Sequence, residues 1–360
     1  MIVRVFLIAL TALLARVPAS AAQDTERSAV ISHVIDDVIV GGYNALAEAA
    51  GKQERAVSAL CAAPAPALLD AARAAFNDTV RAWSRIELFR FGPARTDNRF
   101  ERIFYWPDRK GIGLRQVQAL LAGKDEAVTS LEALQQKSVA VQGLPALEFV
   151  LFGTGSGELL EKGNYRCQFA DAVADAIRGT AGELLAGRRD KSGHAALMRN
   201  PGTDNPLYKS EAEVLQALIQ AALEQLQIIG EIKIAPAIGD APEDARPKRA
   251  PFWRSGDTIT ALRSNIAGVL ALFDGHLNVL LGEDPASISS GLSFELAQAD
   301  STLAGLEQSG LSWEKIASDP ETHGKLDYAL IPLHGAKEVV AERYPEALGL
   351  VLGFNSLDGD

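Results

Sequence analysis

The sequence has few of the residues that most often carry chemistry. It holds two cysteines and five histidines in 360 residues, and neither set has the spacing of a zinc site. His33, His194, His276, His323 and His334 form no i,i+3 or i,i+4 pair, so each reads as an ordinary surface or core histidine. HExxH, CxxC, a complete P-loop and GxSxG are all missing, which removes the usual signatures of metalloproteases, thiol redox enzymes, nucleotide hydrolases and serine hydrolases. The Gly153, Gly155 and Gly157 run lacks dinucleotide spacing and follows a helical stretch, so it reads as a loop. Alternating β-branched runs are scarce, and an all-α fold is expected. Beyond the N-terminus no apolar run approaches about 18 residues, so no membrane span is expected.

Basic charge is also scarce. Lys and Arg number 35 against 46 Asp and Glu, a net charge of −11. This balance argues against nucleic acid or an anionic membrane surface as a partner, and it is compatible with cationic ligands. Arg4 and Arg16 flank an apolar run from Val5 to Leu14, followed by Ala19, Ser20 and Ala21. Such a run is too short to cross a bilayer and matches a secretory signal over residues 1–21, with a retained anchor as the alternative. Losing Arg4 and Arg16 with the signal leaves 33 basic residues against 46 acidic, a net of −13. The expected location is the periplasm, with the protein not integral to a membrane. In that oxidising space Cys61 and Cys167 read as one disulfide, the alternative being two buried free thiols.

Helical spacing dominates the remainder. Val30, Ile31, Val34, Ile35, Val38 and Ile39 mark a first long helix that Gly41-Gly42 loosens or kinks and that Pro64 and Pro66 end. A second helix spans 68–89 and stops at Gly92-Pro93. Shorter helices are expected over 113–122 and 125–136, another from Pro145, and a long one over 164–187. The charged, glycine- and proline-bearing stretch 188–206 reads as a domain boundary. Further helices are expected at 208–230, 257–281, 287–308, 324–342 and 345–352, with 235–254 a long ordered loop. The chain thus reads as two helical bundles, 24–190 and 205–360, joined by a linker.

Four segments place polar groups where they are costly. In WSRIELFRFGP, Glu87 shares a helix face with Trp83 and Arg90; it is either a buried carboxylate that needs a partner or an exposed ion pair. In GLPALEFVLFG, Pro145 suits the first helical position and Glu148 the first turn, where the helix dipole favours it. Alternatively, Glu148 faces a ligand or partner from inside an apolar run. In RPKRAPFWRSGDT, Ser255 or Asp257 caps the next helix, or Trp253, Arg254 and Ser255 present cation and amide donors to an anion. At the C-terminus, Asp358, Asp360 and the terminal carboxylate read as a solvated acidic group or a weak cation site.

Taken in order, Glu87 to Pro93, Trp106-Pro107, Gly143 to Gly153, and the WRSG segment ahead of a helix bearing Asn265 resemble the imelysin-like family, also called peptidase family M75. The resemblance spans most of the mature chain. It implies two helical bundles, a bacterial envelope location, and a binding or accessory role in uptake of iron or another metal. The implied partners are a metal or metal-containing ligand and an uptake component of the envelope. The site would lie between the bundles and use Glu87, Glu148, Trp253, Arg254 and Ser255. The family hallmark GxHxxE reads here as Gly143, Pro145 and Glu148. Proline replaces the histidine and supplies no ligand atom, so Glu148 alone remains as a metal contact. An M75-type metal-dependent peptidase and a non-enzymatic helical interaction module are the alternative readings.

Overall fold

The structure is a computed structural model that describes residues 19–282 and 286–353, and the described residues contain helices and no strand. The first half comprises α1 (Ala19–His33), α2 (Gly41–Ala62), α3 (Pro66–Ile86), α4 (Arg99–Ile103), α5 (Ile112–Gly123), α6 (Leu131–Gln135), α7 (Leu144–Phe152) and α8 (Tyr165–Arg189). A short α9 (His194–Arg199) follows, then α10 (Glu211–Gln227), α11 (Ala235–Ile238), α12 (Thr258–Phe273), α13 (Ala286–Gln308), α14 (Trp313–Ser318), α15 (Pro320–Glu338) and α16 (Tyr344–Leu348). The Val5–Leu14 run with Arg4 and Arg16 lies outside the described residues, as do Asp358 and Asp360. Among the described residues no helix is long and apolar enough to cross a membrane.

Several helix starts follow from a polar residue at the cap. The side chains of Ser130, Asn164, Ser210, Ser312 and Asp319 each accept from a backbone amide of the first turn they precede, satisfying donors that the helix itself leaves open. Asp257 was expected to cap α12 or to leave that role to Ser255. It stands at the cap position but its side chain makes no capping bond; instead the Asp257 amide donates to Ser255 Oγ at 3.4 Å.

Three expectations shift when the helices are placed. A π-helical turn, Val34–Val40, sits directly before Gly41-Gly42, and helix continues through both glycines. The 125–136 segment forms only the short α6, preceded by a single 3-10 turn. The 235–254 loop is broken by α11 and two further 3-10 turns.

The packing joins the two halves of the chain. Helix α2 lies against α3 and α8, α13 against α15, and α12 lies along α3. Buried apolar side chains from Val30 to Leu350 make one connected core. Gly268 permits the α3–α12 approach, because a Cβ there would stand 2.0 Å from the Arg85 carbonyl oxygen. Cys61 near the end of α2 is bonded to Cys167 at the start of α8, with Cα atoms 5.5 Å apart and the two residues 106 positions apart in sequence.

Closing so long a loop restricts the unfolded chain, a contribution on the order of 4 kcal/mol. The Cys61→Ala/Cys167→Ala variant is therefore expected to unfold at lower urea with its folded helix content unchanged. Equilibrium unfolding followed by circular dichroism checks this, and a loss under about 1 kcal/mol would mean the reduced chain is already restrained.

Candidate functional site

Glu87 follows the last residue of α3, which places it at the end of the helix and not on its face. It is fully buried, and every partner of its carboxylate is a cation or an amide. Lys233 Nζ donates to Oε2 at 2.5 Å, Asn265 Nδ2 donates to Oε2 at 3.0 Å, and Arg90 Nη2 donates to Oε1 at 2.8 Å. Lys233 Nζ also donates to Asn265 Oδ1 at 2.7 Å, and Asn265 Nδ2 to the Ser84 carbonyl at 2.6 Å. Both Glu87 and Asn265 are 0 % exposed and Lys233 is 1 % exposed. Burial alone would raise the Glu87 pKa; the charges of Lys233 and Arg90 outweigh it and hold the carboxylate below its ordinary value. Gly268, one turn beyond Asn265 on α12, supplies the close approach that brings the amide within reach of the end of α3.

Glu148 lies in α7, whose start is built on a contact only glycine permits. A Cβ on Gly143 would fall 2.4 Å from the Ile103 carbonyl oxygen. The helix begins at Leu144, so Pro145 takes the second helical position and Glu148 the fifth. This corrects the expectation that Pro145 opens the helix and that Glu148 sits in its first turn. The carboxylate, 3 % exposed, faces the turn that precedes α12. Its Oε1 accepts from the amides of Arg254 and Ser255 at 2.9 and 3.0 Å and from Ser255 Oγ at 3.2 Å, with Arg254 Nη1 4.0 Å from Oε2. Burial raises its pKa against the opposing pull of those donors. The anion that the Trp253-Arg254-Ser255 segment receives is thus the chain's own glutamate.

Asp257 completes the junction. With its side-chain amide turned so that the nitrogen faces both acceptors, Asn77 of α3 donates to Asp257 Oδ2 and to the Arg73 carbonyl, at 2.8 Å each. Burial pushes the Asp257 carboxyl up to about 7; the nearby Glu148 charge adds to this and the Ser255 hydroxyl opposes it.

Glu148, Trp253 and Arg254 border a cavity of about 870 Å³. One side comes from residues 104–117 and 140–149, the other from 231–236, 246–254 and Glu314. Phe104 stacks between Trp106 and Phe252, with centroids 5.8 and 5.1 Å away and planes within 20°. Lys233 Nζ lies 5.7 Å from the Phe104 ring centre and 5.9 Å from that of Trp106, tying the Glu87 network to the cavity's aromatic floor. The Arg254 guanidinium sits 4.2 Å from the Trp253 ring centre and 5.6 Å from that of Phe149, and Lys248 covers Trp253 at 5.2 Å.

The structure therefore gathers Glu148, Trp253, Arg254 and Ser255 at one place and sets Glu87 in a separate network. Sequence reasoning did not single out Lys233, Asn77 or Asp257 as a partner of a buried acid. Lys233 had a legible signal, the lone cation in the largely apolar stretch Ile228 to Ile238, which also holds Glu231. Its partner did not, since Glu87 is 146 residues away.

A profile of the imelysin family, peptidase M75, matches residues 39–338. The chain belongs to the imelysin family. It is 23 % identical over 249 residues to iron-regulated protein A of Synechococcus elongatus, a match covering 68 % of this chain and 64 % of that protein. Its fold is similar to that of an imelysin-like protein from Psychrobacter arcticum, with a TM-score of 0.77, 18 % identity, and 92 % and 98 % of the two chains covered. A candidate iron-regulated protein A precursor from Parabacteroides distasonis superposes with a TM-score of 0.73 at 15 % identity, over 91 % of this chain and 96 % of that one.

The described residues around Glu148 do not make a ligand set for a bare metal ion. Among the described residues no three His, Cys, Asp or Glu side chains stand close enough to hold one. Pro145 occupies the motif's histidine position, and Glu148 Oε1 already accepts three hydrogen bonds.

Two predictions follow from the buried charges. Glu87→Gln or Lys233→Met alone leaves the other charge buried and is expected to cost about 3–5 kcal/mol, and the double variant much less than the sum. Urea unfolding of the four-member cycle checks this, and simple additivity would show that the pair is not coupled. The second concerns pH. Asp257 titrates near 7 when folded against an ordinary value of 3.8, so the stability tied to its proton is complete below about 3.8 and falls as pH rises to 7. Asp257→Asn should flatten that decline, by roughly 2–4 kcal/mol across the window. Glu87 acts oppositely, its contribution being present above 4.5 and lost as pH falls through its lowered folded value. Unfolding midpoints measured from pH 3 to 8 separate the two, and an unchanged slope in Asp257→Asn would reject the assignment.

Proposed function

We propose that this imelysin is a periplasmic binding or accessory protein in bacterial iron uptake, exported by the signal at residues 1–21. Its ligand would sit in the cavity between the proposed bundles 24–190 and 205–360 and pass to an uptake component of the envelope. One observation carries the reading: the cavity of about 870 Å³ has walls drawn from both halves of the chain, a size and position suited to a small ligand. Iron enters from the relatives, two of which are called iron-regulated proteins.

In this reading the buried polar residues hold the cavity open and do not react. Glu148 fixes the loop that carries Trp253 and Arg254, while the Glu87, Lys233 and Asn265 cluster anchors the aromatic floor. The residues free to meet a ligand are those on the cavity surface.

A deletion strain of the source bacterium tests the proposal through accumulation of radioactive iron under iron limitation. Deletion should lower accumulation several-fold and wild-type protein should restore it. Leu114→Trp, which fills the cavity from a half-buried position on α5, should be exported and folded yet fail to restore. Normal accumulation in the deletion strain would overturn the iron role.

A further inference from the structure

The cavity carries the charge sign opposite to that of the chain. Arg246, Lys248, Arg249 and Arg254 come from nine consecutive residues that contain no acid, and Arg109 joins them from the facing wall. Of these five cations only Arg254 has a carboxylate of the described residues within 4.0 Å, the buried Glu148. The other four stand exposed at the mouth with no acidic partner. Most of the acids that line the same space are occupied. Asp108 accepts the amides of Ile112 and Gly113 at 2.7 and 2.9 Å, Glu231 pairs with Lys337 at 2.6 Å, and Glu148 is held by the 254–255 amides. Asp108, held only by neutral amides, keeps its charge and with Glu314 opposes the four mouth cations, leaving an excess of positive charge there. In a chain of net charge −11, this is a local reversal that focuses a positive field on a concave surface.

Beneath that mouth the wall is backed by aromatics, of which Trp106 and Trp253 are half-buried while Phe104 and Phe252 are buried behind them. The Trp106, Phe104 and Phe252 rings form a stacked column, and Phe149, Arg254, Trp253 and Lys248 alternate ring with cation. Rings offer a face for stacking, and arginines above them offer paired donors to carboxylates. A bare cation would meet repulsion at the mouth and no ligand set within.

On the reading of this cavity as the binding site, we propose that it takes an organic polyanion with an extended flat π-system and peripheral carboxylates. Any iron carried is then held by that molecule and not by protein side chains. The conjugated face lies on the aromatic floor, and the carboxylates reach Arg246, Lys248, Arg249 and Arg109.

Three probes test the class: protoporphyrin IX as a flat dicarboxylate, ferric citrate as a carboxylate chelate without rings, and ferrous ion alone. Each is titrated into the full chain by calorimetry and tryptophan fluorescence, at low and physiological salt. Protoporphyrin IX should bind, quench the tryptophans and weaken with salt; ferric citrate should bind at least tenfold more weakly, and ferrous ion not at all. The exposed pair Lys248→Glu/Arg249→Glu should weaken the porphyrin at least tenfold with an unchanged melting temperature, with Lys248→Gln/Arg249→Gln as the milder variant should that one misfold. Leu114→Trp should abolish binding, which excludes adsorption elsewhere on the surface. Equal porphyrin affinity in the wild type and the folded charge variants would overturn the proposal, as would citrate binding more tightly than porphyrin or ferrous ion binding alone. If porphyrin fails to bind while deletion still lowers iron accumulation, the ligand class is wrong and the iron role stands; the reverse result rejects the iron role alone.

Discussion

A carboxylate taken out of water must be matched by donors, and this requirement organises the centre of the protein. Glu87 and Glu148 both belong to the first half of the chain, and both find their donors largely in the second. The Glu87 cluster is the more demanding. Its acid, its lysine and its asparagine are all sealed from solvent, so any separation of α3 from the Lys233 segment would strand charges at a cost of several kcal/mol. The apolar core supplies cohesion, and the close Gly268 approach together with the matching of these buried charges adds a further selection on how the halves meet.

The cavity depends on that selection. Lys233 lies under the Phe104 and Trp106 rings, so the ion pair and the aromatic floor are positioned together. Glu148 does the equivalent at the opposite wall. By occupying the Arg254 and Ser255 amides, it ties down the end of the 246–254 segment, on which Arg246, Lys248 and Arg249 stand exposed. The family's motif acid therefore works here as an internal anchor. With proline at the histidine position of that motif, the first turn of α7 is rigid and has no metal-ligating side chain there.

Much of this was legible before any coordinates. The helical periodicity and the proline and glycine stops located most of the helices. An acid inside an apolar run marked Glu148, while the helix face expected to join Glu87 with Trp83 and Arg90 offered a buried carboxylate or an exposed ion pair. Helix lengths in the connecting regions were less legible, because 125–136 and 235–254 hold short turns whose stability comes from tertiary contact and not from local propensity. The same reasoning missed Asp257 as a buried acid, since an aspartate ahead of a helix reads as a cap on local grounds.

The sequence alone determined an all-helical chain, its family resemblance, and Glu87 and Glu148 as candidates for burial, since each of these is written in local spacing and residue type. Only the tertiary structure decided which groups those residues meet. Glu87 and Lys233 are 146 positions apart, Glu148 and Arg254 are 106 apart, and no local pattern encodes contacts across such distances. It likewise decided the sign of the cavity. Composition predicts an acidic protein, but the field at a concave surface is set by which charges remain unpaired there.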